Sequence, residues 1–538
     1  MEAVRRLEAK SQAISAETAL WLCSATLVTM GLVLRARGFL WGTIPFWEDE
    51  AAWTAKLIDL PLTTPWIRPI GFMAASKVLI HFLAASETAL RLLPWCAGVA
   101  ALLMAPLAAN RLFTSSAARV LFVGVLALHP GAIDLAKEFK PYSVGLALHM
   151  AYLLLALRYL ENRKTRDLAA LLALLLVGVL FAQDTLFAFP SVFGLLLFDT
   201  FRSRRFRHLA LVALTAAATL GVIVTLYVTT WRKLVADGDG TTGYWGNKYD
   251  VFYVPDATQP TSRVAWTAKH VVDVLAMPGM RRETWHWPSL SAGRLSGLQS
   301  TDLFVWGALG LLGVAALAYR RRGRQALLLA APVVVLTCFN VLGKWPLGAF
   351  RTDLFALVYA AGLAAAVFDT RRTQIRHWEL APVGALVVLP YLLFDRSIHS
   401  HKTSSMAGDS AFPAAMDRLE QMAAESLRLG ERPMVALDAA SCWPWRYYTK
   451  YHPDKVRAAE YKERFDAHCE KTPHHMAQLA RKGLVSPEAR AFFLLSNGNE
   501  MREVEEHLPK DMAIDAEAYV GRRDELVVRL RRRSTLVQ

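Results

Sequence analysis

Charge is scarce in this chain. Asp, Glu, Lys and Arg supply 20% of its 538 residues while 54% are hydrophobic, and the mean hydropathy is +0.26. That shortage excludes an ordinary soluble protein of this length, which would split into several domains with a more polar average. Cysteine is scarce too. Of the five, Cys23, Cys96 and Cys338 fall in apolar runs, where they are expected to pack. Cys442 and Cys469 lie in a polar region, and a disulfide between them is a hypothesis. Metal-site spacing is missing: HCEKTPHH (468–475) gathers His468, Cys469, His474 and His475 without the pairing of a structural zinc site, so solvated histidines are expected. No Gly-rich phosphate loop follows a strand, which argues against nucleotide binding. Basic charge is the exception, at net +15. Nucleic acid is one reading of it, but much of the Arg sits in short loops between apolar runs, where it marks topology instead.

What the chain does have is a succession of long apolar runs alternating with short basic clusters, the pattern of a polytopic helical membrane protein. The first run, about 19–36, follows Arg5, Arg6 and Lys10 and is followed by Arg35 and Arg37 with no small-residue cleavage site, so it reads as an uncleaved anchor with a cytoplasmic N-terminus. Later basic clusters are Arg111 with Arg119, ENRKTRD (161–167), RSRRFRH (202–208), YRRRGRQ (319–325) and DTRRTQIRHWE (369–379). All fall on the cytoplasmic side if 70–86, which carries Lys77 and His81, lies at the outer surface as an amphipathic helix and does not cross. The spans are then about 19–36, 89–110, 117–131, 144–160, 167–182, 185–201, 208–230, 302–319, 325–343, 352–369 and 380–395, about eleven in all.

This topology gives the acidic stretch FWEDEAAW (46–53) a place. It lies in a long first outer loop, about 38–88. The second outer loop, HPGAIDLAKEFKPYSVG (129–145), brings Asp134, Lys137, Glu138, Lys140 and Tyr142 to the same face. A third carries Gln183 and Asp184, a longer one spans about 231–300, and GKWPLGAFRTD (343–353) contributes Lys344, Trp345 and Arg351. Carboxylates and cations on one face suit a reaction in which an anionic lipid is held while an acceptor loses a proton. Each group also has a plainer reading: solvated loop charges for Glu48, Asp49 and Glu50, a surface pair for Glu138 with Lys137 or Lys140, snorkelling anchors for Lys140 and Arg351, and an interfacial belt for Trp66, Tyr142 and Trp345.

WEDEA in the first loop, EFKPYS in the second and GKWPLGAFR late in the bundle resemble three motifs of the C-type integral-membrane glycosyltransferases, the group that includes protein O-mannosyltransferases and lipid A aminoarabinose transferases. Its bacterial members show an acidic DEA after the first helix, a QEARPY-like stretch and a YPFGGR-like stretch. RPIGFMAASKVLIHFLAASETALRLLP (68–94) and PMVALDAASCWPWRYYTKY are similar to further segments of the group, so the resemblance runs over nearly the whole chain. Lys140 stands where Arg is usual, Trp345 where Tyr is common, and GAFR shifts the late Gly and Arg. Lys keeps the charge but not the bidentate fork. The resemblance implies transfer of a sugar from a polyprenyl-phosphate carrier to a hydroxyl or amine. Asp49 is then the candidate general base and Glu138 a second catalytic carboxylate that binds the acceptor or a cation. Glu50 would orient the acceptor or a basic partner. Lys140, Tyr142, Arg68, Lys344 and Arg351 are candidates for the carrier phosphate, and His81 and Asp184 for the sugar or a loop.

The expected fold is thus a polytopic α-helical transmembrane domain, 1–395, with a small extracytoplasmic α/β domain, 396–538. In the latter, RPMVALDA, ARAFFLLSN and VVRLRRR read as strands, with FPAAMDRLEQMAAESLRLG and HHMAQLARKG as helices. The expected partners are a polyprenyl-phosphate-linked sugar donor, membrane lipid, and a lipid, protein or polysaccharide acceptor, with no nucleic acid. No cofactor is implied firmly, and a divalent cation stays open. The expected location is a bacterial inner membrane with the site outside. Two rivals remain: a transporter or flippase of lipid-linked saccharides, and a non-catalytic scaffold. A transporter tends to place ionisable groups near the midplane and to carry internal repeats. Here the charges sit at loop level and no repeat is evident.

Overall fold

The computed structural model describes residues 18, 21–37, 39–40, 46, 48–62, 64, 69–232, 252–253, 262–276, 292–348, 351–369, 384, 412–470, 475–480, 492–497, 506–508, 512–520 and 525–532. The chain divides into two compact units. One comprises Met1–Arg37, Leu62–Ala74 and Arg91–Ser397; the other comprises Gly38–Pro61, Ala75–Leu90 and Ile398–Gln538.

The first unit is helical. Among the described residues, the helices Glu87–Leu112, Tyr142–Asn162, Phe206–Thr229 and Gly323–Val341 are long and apolar enough to cross a membrane. Ser116–Leu128 and Pro130–Lys137 make a fifth if the pair, bent by 51°, is one span. Pro130 accounts for the bend: it has no N–H to continue the helix and pushes His129 into extended backbone, and the His129 ring accepts from the Ala132 N–H to restart it. The expected spans 167–182, 185–201 and 352–369 appear as shorter helices, Thr165–Phe181, Phe189–Arg202 and Leu357–Val367. The first span is described as Trp21–Ala36, and the expected span 380–395 lies outside the described residues but for residue 384.

Leu357–Val367 (LVYAAGLAAAV) is buried along ten of its eleven residues. Small side chains allow that, because helices bearing Gly and Ala approach until backbones touch. At Gly313, on the helix Ala292–Tyr319, an added Cβ would lie 1.9 Å from the Leu363 carbonyl oxygen.

Polar contacts sort the loops into two ends of this unit. At one end Asp199 takes hydrogen bonds from Arg163 (2.6 Å) and Arg324 (2.8 Å). Asp369 accepts from the Thr114 and Ser115 N–H groups, both 2.8 Å, and pairs with Arg322. Arg111 pairs with Glu161. Members of the basic clusters expected on one side of the membrane therefore meet, each held by a carboxylate from a neighbouring loop. At the other end Arg35, buried, donates to the carbonyls of Gly31, Leu126 and Ala127 at 2.9–3.0 Å. It caps the C-terminus of Ser116–Leu128, where a cation is favoured. Helices Trp21–Ala36 and Ser116–Leu128 thus end together, as the first and third crossings of one topology must.

Two expectations need correction. Helix Ile70–Leu83 has 14 residues, about 21 Å at 1.5 Å per residue, short of the ~30 Å hydrocarbon layer. Yet it is not amphipathic in the expected sense, since its exposed side carries Val78, Phe82 and Leu83 beside His81. Cys23, Cys96 and Cys338 do not pack inside; all three are exposed on their helices. An apolar thiol facing hydrocarbon loses nothing relative to a core, so lipid relieves the pressure to bury it.

The second unit holds a five-stranded sheet in the order β2-β1-β3-β5-β4, with β1 Met434–Leu437, β2 Asp466–Cys469, β3 Phe492–Asn497, β4 Met512–Val520 and β5 Glu525–Arg532. β1 runs parallel to β2 and β3, while β5 is antiparallel to β3 and β4. Helix Phe412–Met422 lays Phe412, Met416 and Leu419 on Val435, Leu437, Phe493 and Val527. Helix Ala439–Arg446, N-capped by Asp438 (Oδ1 to the Ser441 N–H, 2.6 Å), runs into a π-helical turn, Tyr447–Tyr451. A disulfide between Cys442 and Cys469 ties that helix to β2.

Candidate functional site

In the helical unit, the second-loop stretch folds as Pro130–Asp134, a 3-10 turn Leu135–Lys137, extended Glu138, and then the long helix from Tyr142. Glu138 and Lys140 are each only 3% exposed, and Asp134 and Lys137 are as deeply placed, paired at 3.3 Å. Charges this deep are not solvated loop groups. Burying an ion costs several kcal/mol unless partners compensate, so this concentration marks a built polar site. The late stretch meets it: Arg351, buried in the 3-10 turn Arg351–Ala356, holds its guanidinium 6.0 Å from the centre of the Tyr142 ring. A cation over an aromatic face is attracted by the ring quadrupole.

Behind this contact lies a layer of which the sequence singles out only Asp184 and Trp345. Asp184, in the turn Gln183–Phe187, packs its carboxylate against the bare Cα of Gly145, where an added Cβ would fall 2.0 Å from Oδ2. Its Oδ1 is buried without a hydrogen-bond partner, and burial pushes this carboxyl well above the usual range against hydrogen bonds from backbone groups of Thr185 and its own residue. His149 bridges the layer, Nε2 to the Asp184 carbonyl at 3.1 Å and Nδ1 to the Tyr359 hydroxyl at 2.7 Å. Trp345 donates from its indole to Asp353, 3.1 Å, and sets its ring edge-on to Phe187. His149, Asp353, Tyr359 and Gly145 thus join the candidates. Asp353 stood two residues from Arg351; His149 lay two helical turns past Tyr142, inside an apolar span.

In the second unit, Asp49 and Glu50 lie in the first turn of the helix Glu48–Asp59, so part of their placement is explained by the helix dipole, which favours anions there. Glu50 is fully buried and Asp49 half-buried. Two turns on, burial lowers the Lys56 ammonium and the Asp49 charge opposes that shift, so the pair shares one face. The helix is held at both ends by the π-helical turn. The Phe46 N–H donates to the Tyr448 hydroxyl (3.1 Å) and its ring lies 4.8 Å from that of Tyr447. Asp59 accepts from Tyr451 and from Lys450 (3.3 Å), with Arg446 at 3.5 Å. The same turn reaches the end of the first loop, through Tyr447 to the Ala85 carbonyl (2.8 Å) and Tyr448 to Glu87 (3.1 Å).

The remaining candidates stand apart. Lys344 is exposed and His81 lies on the exposed side of its helix, edge-on to Phe82. Arg68 and Trp66 fall outside the described residues. Among the described residues no group of three His, Cys, Asp or Glu side chains is arranged to hold a metal.

No protein-family model matches the sequence, and no curated protein matches it. Solved structures do, and what the chain shares with them is the fold. The structure of ArnT from Cupriavidus metallidurans bound to undecaprenyl phosphate matches over 95% of this chain and 98% of that one, with a TM-score of 0.50 and 13% identity. ArnT from the same organism in the apo state matches over the same shares at 14% identity and a TM-score of 0.49. At such identity the likeness is one of fold.

Proposed function

We propose that the chain is a glycosyltransferase that moves a sugar from a polyprenyl-phosphate carrier to an acceptor at the extracytoplasmic face of a bacterial inner membrane, with about eleven spans. The observation that carries this reading is the meeting of two sequence stretches far apart in the chain, EFKPYS and GKWPLGAFR, through Tyr142 and Arg351, beside buried Glu138 and Lys140. A buried carboxylate-and-cation site at loop level suits a phosphate leaving group, and the fold it stands in is shared with a protein solved with undecaprenyl phosphate.

In the reaction, an acceptor oxygen or nitrogen attacks the anomeric carbon as the bond from that carbon to the phosphate oxygen breaks, with inversion. The phosphate leaves with its electron pair as an anion, which Lys140 and Arg351 stabilise. Asp49 takes the acceptor's proton, a role assigned from its position in WEDEA. Glu138 binds the acceptor.

The test is transfer from a radiolabelled panel of polyprenyl-phosphate sugars in membranes holding wild type, Asp49→Asn, Glu138→Gln or Arg351→Ala. Wild type is expected to consume one donor, with Asp49→Asn lowered about 10²–10⁴-fold at unchanged folding. Full activity in Asp49→Asn removes it as the base. Carrier translocation without sugar transfer would move the flippase reading ahead.

A further inference from the structure

The second unit contains a cavity of about 270 Å³ lined by Glu87, Pro413, Met416, Tyr448, His452, Arg457 and Tyr461. At that size, just under the ~300–1,000 Å³ of drug-sized pockets, it takes one ring-sized group. Of its lining residues, Pro413 and Met416 are apolar. The other lining residues supply both acceptors and donors. Glu87, buried, accepts at Oε1 from the Tyr448 hydroxyl at 3.1 Å, and a carboxylate has lone pairs to spare for further donors. Near it, His452 Nδ1 accepts from the Asp454 N–H at 3.3 Å, so in the neutral ring the proton sits on Nε2. That Nε2–H stands 3.8 Å from Glu87 Oε2, beyond hydrogen-bond reach. A group that both donates and accepts would bridge the two. Arg457, also in the lining, is fixed by Asp417, as is the Tyr461 hydroxyl at 3.1 Å; an Arg has five N–H donors, so this one keeps others for a ligand.

A small cavity that offers apolar surface to a ring's C–H face and donors and acceptors to its hydroxyls suits a sugar. A nucleotide is too large for the cavity, and a free carboxylate or phosphate would meet Glu87. We propose that this cavity binds one sugar ring of a glycan acceptor. It rests on the transferase reading only for the word acceptor; ring binding stands by itself. The wall residue Tyr448 also takes the Phe46 N–H at the head of the helix carrying Asp49, so an occupant that shifts Tyr448 is felt there.

The experiment uses the full-length protein in detergent micelles, titrated with the methyl glycosides of glucose, mannose, galactose, arabinose and N-acetylglucosamine, and read by saturation-transfer NMR without donor. Variants are Glu87→Gln and the surface change Arg457→Gln, with thermal unfolding as the folding check. At least one glycoside is expected to bind saturably, with affinity lowered about tenfold in Glu87→Gln and severalfold in Arg457→Gln. No saturable binding of any probe, or binding equal in wild type and both variants, overturns the proposal. If Glu87→Gln unfolds, Arg457→Gln alone decides. Binding by a protein that transfers no sugar leaves the cavity standing and removes the transferase reading; transfer with variant-insensitive binding does the reverse.

Discussion

At the scale of single residues, Gly145 shows most directly how the site is built. The carboxylate of Asp184 occupies the space where any other residue would keep its Cβ, so the smallest change, Gly145→Ala, forces one of two packed elements to move. Overpacking of this kind costs about 1–3 kcal/mol, and the expected result is a lower unfolding temperature with loss of transfer. The double variant Gly145→Ala, Asp184→Ala removes the overlap and is expected to recover stability without activity. Additive losses in that cycle would place the strain elsewhere. Asp134, Lys137, Glu138 and Lys140 were legible in the sequence because charges in an apolar chain stand out. Gly145 and His149 were not. Their partners lie 39 and 35 positions along the chain, and nothing local to a glycine or to a histidine in an apolar helix announces a distant carboxylate or carbonyl.

At the scale of elements, the helix Glu48–Asp59 depends on what grips its ends. Its last residue, Asp59, has its carboxyl lowered: partial burial would raise it, but hydrogen bonds from Tyr451 and Lys450 and the charges of Lys450 and Arg446 outweigh that. A carboxyl whose folded value is depressed contributes stability that is present above the unfolded value, near 3.9, and lost as pH falls through the folded one. Amide exchange across 48–59, corrected for intrinsic rates, is therefore expected to quicken below about pH 4 in wild type. Asp59→Asn is expected to exchange faster at neutral pH with that acid step removed, and Tyr451→Phe to fall between. Exchange unchanged in both variants would mean that the aromatic contacts of Phe46 hold the helix unaided. The strands divide by the same logic of local against distant causes. RPMVALDA, a short apolar run, and VVRLRRR, with its paired valines, read as strands at sight, whereas β4, MAIDAEAYV, is rich in Ala, Asp and Glu, poor strand formers. Its partner β5, paired from Met512–Arg532 to Val520–Glu525, supplies what propensity lacks.

At the scale of the whole molecule, the alternation of apolar runs and basic clusters is a statement about sides, and the structure supplies a reason for it to hold. Asp199 binds Arg163 and Arg324 from two different loops, and Asp369 binds Arg322, at one end of the helical unit, so reversing any one of these helices would strand a carboxylate among helices that bring no cation to it. An unpaired buried charge is costly enough to make the arrangement cooperative. The orientation itself is then checkable with single cysteines in a background lacking Cys23, Cys96 and Cys338 but keeping the Cys442–Cys469 bond. Lys344→Cys and Gly430→Cys are expected to react with a membrane-impermeant maleimide on intact spheroplasts. Lys164→Cys and Arg204→Cys should react only after permeabilisation. The reverse pattern would put the polar site on the cytoplasmic side and remove the disulfide's oxidising compartment. Mixed labelling along the series would locate the segment whose crossing has been miscounted, with Ile70–Leu83, too short to span yet apolar on its exposed side, the first to re-examine.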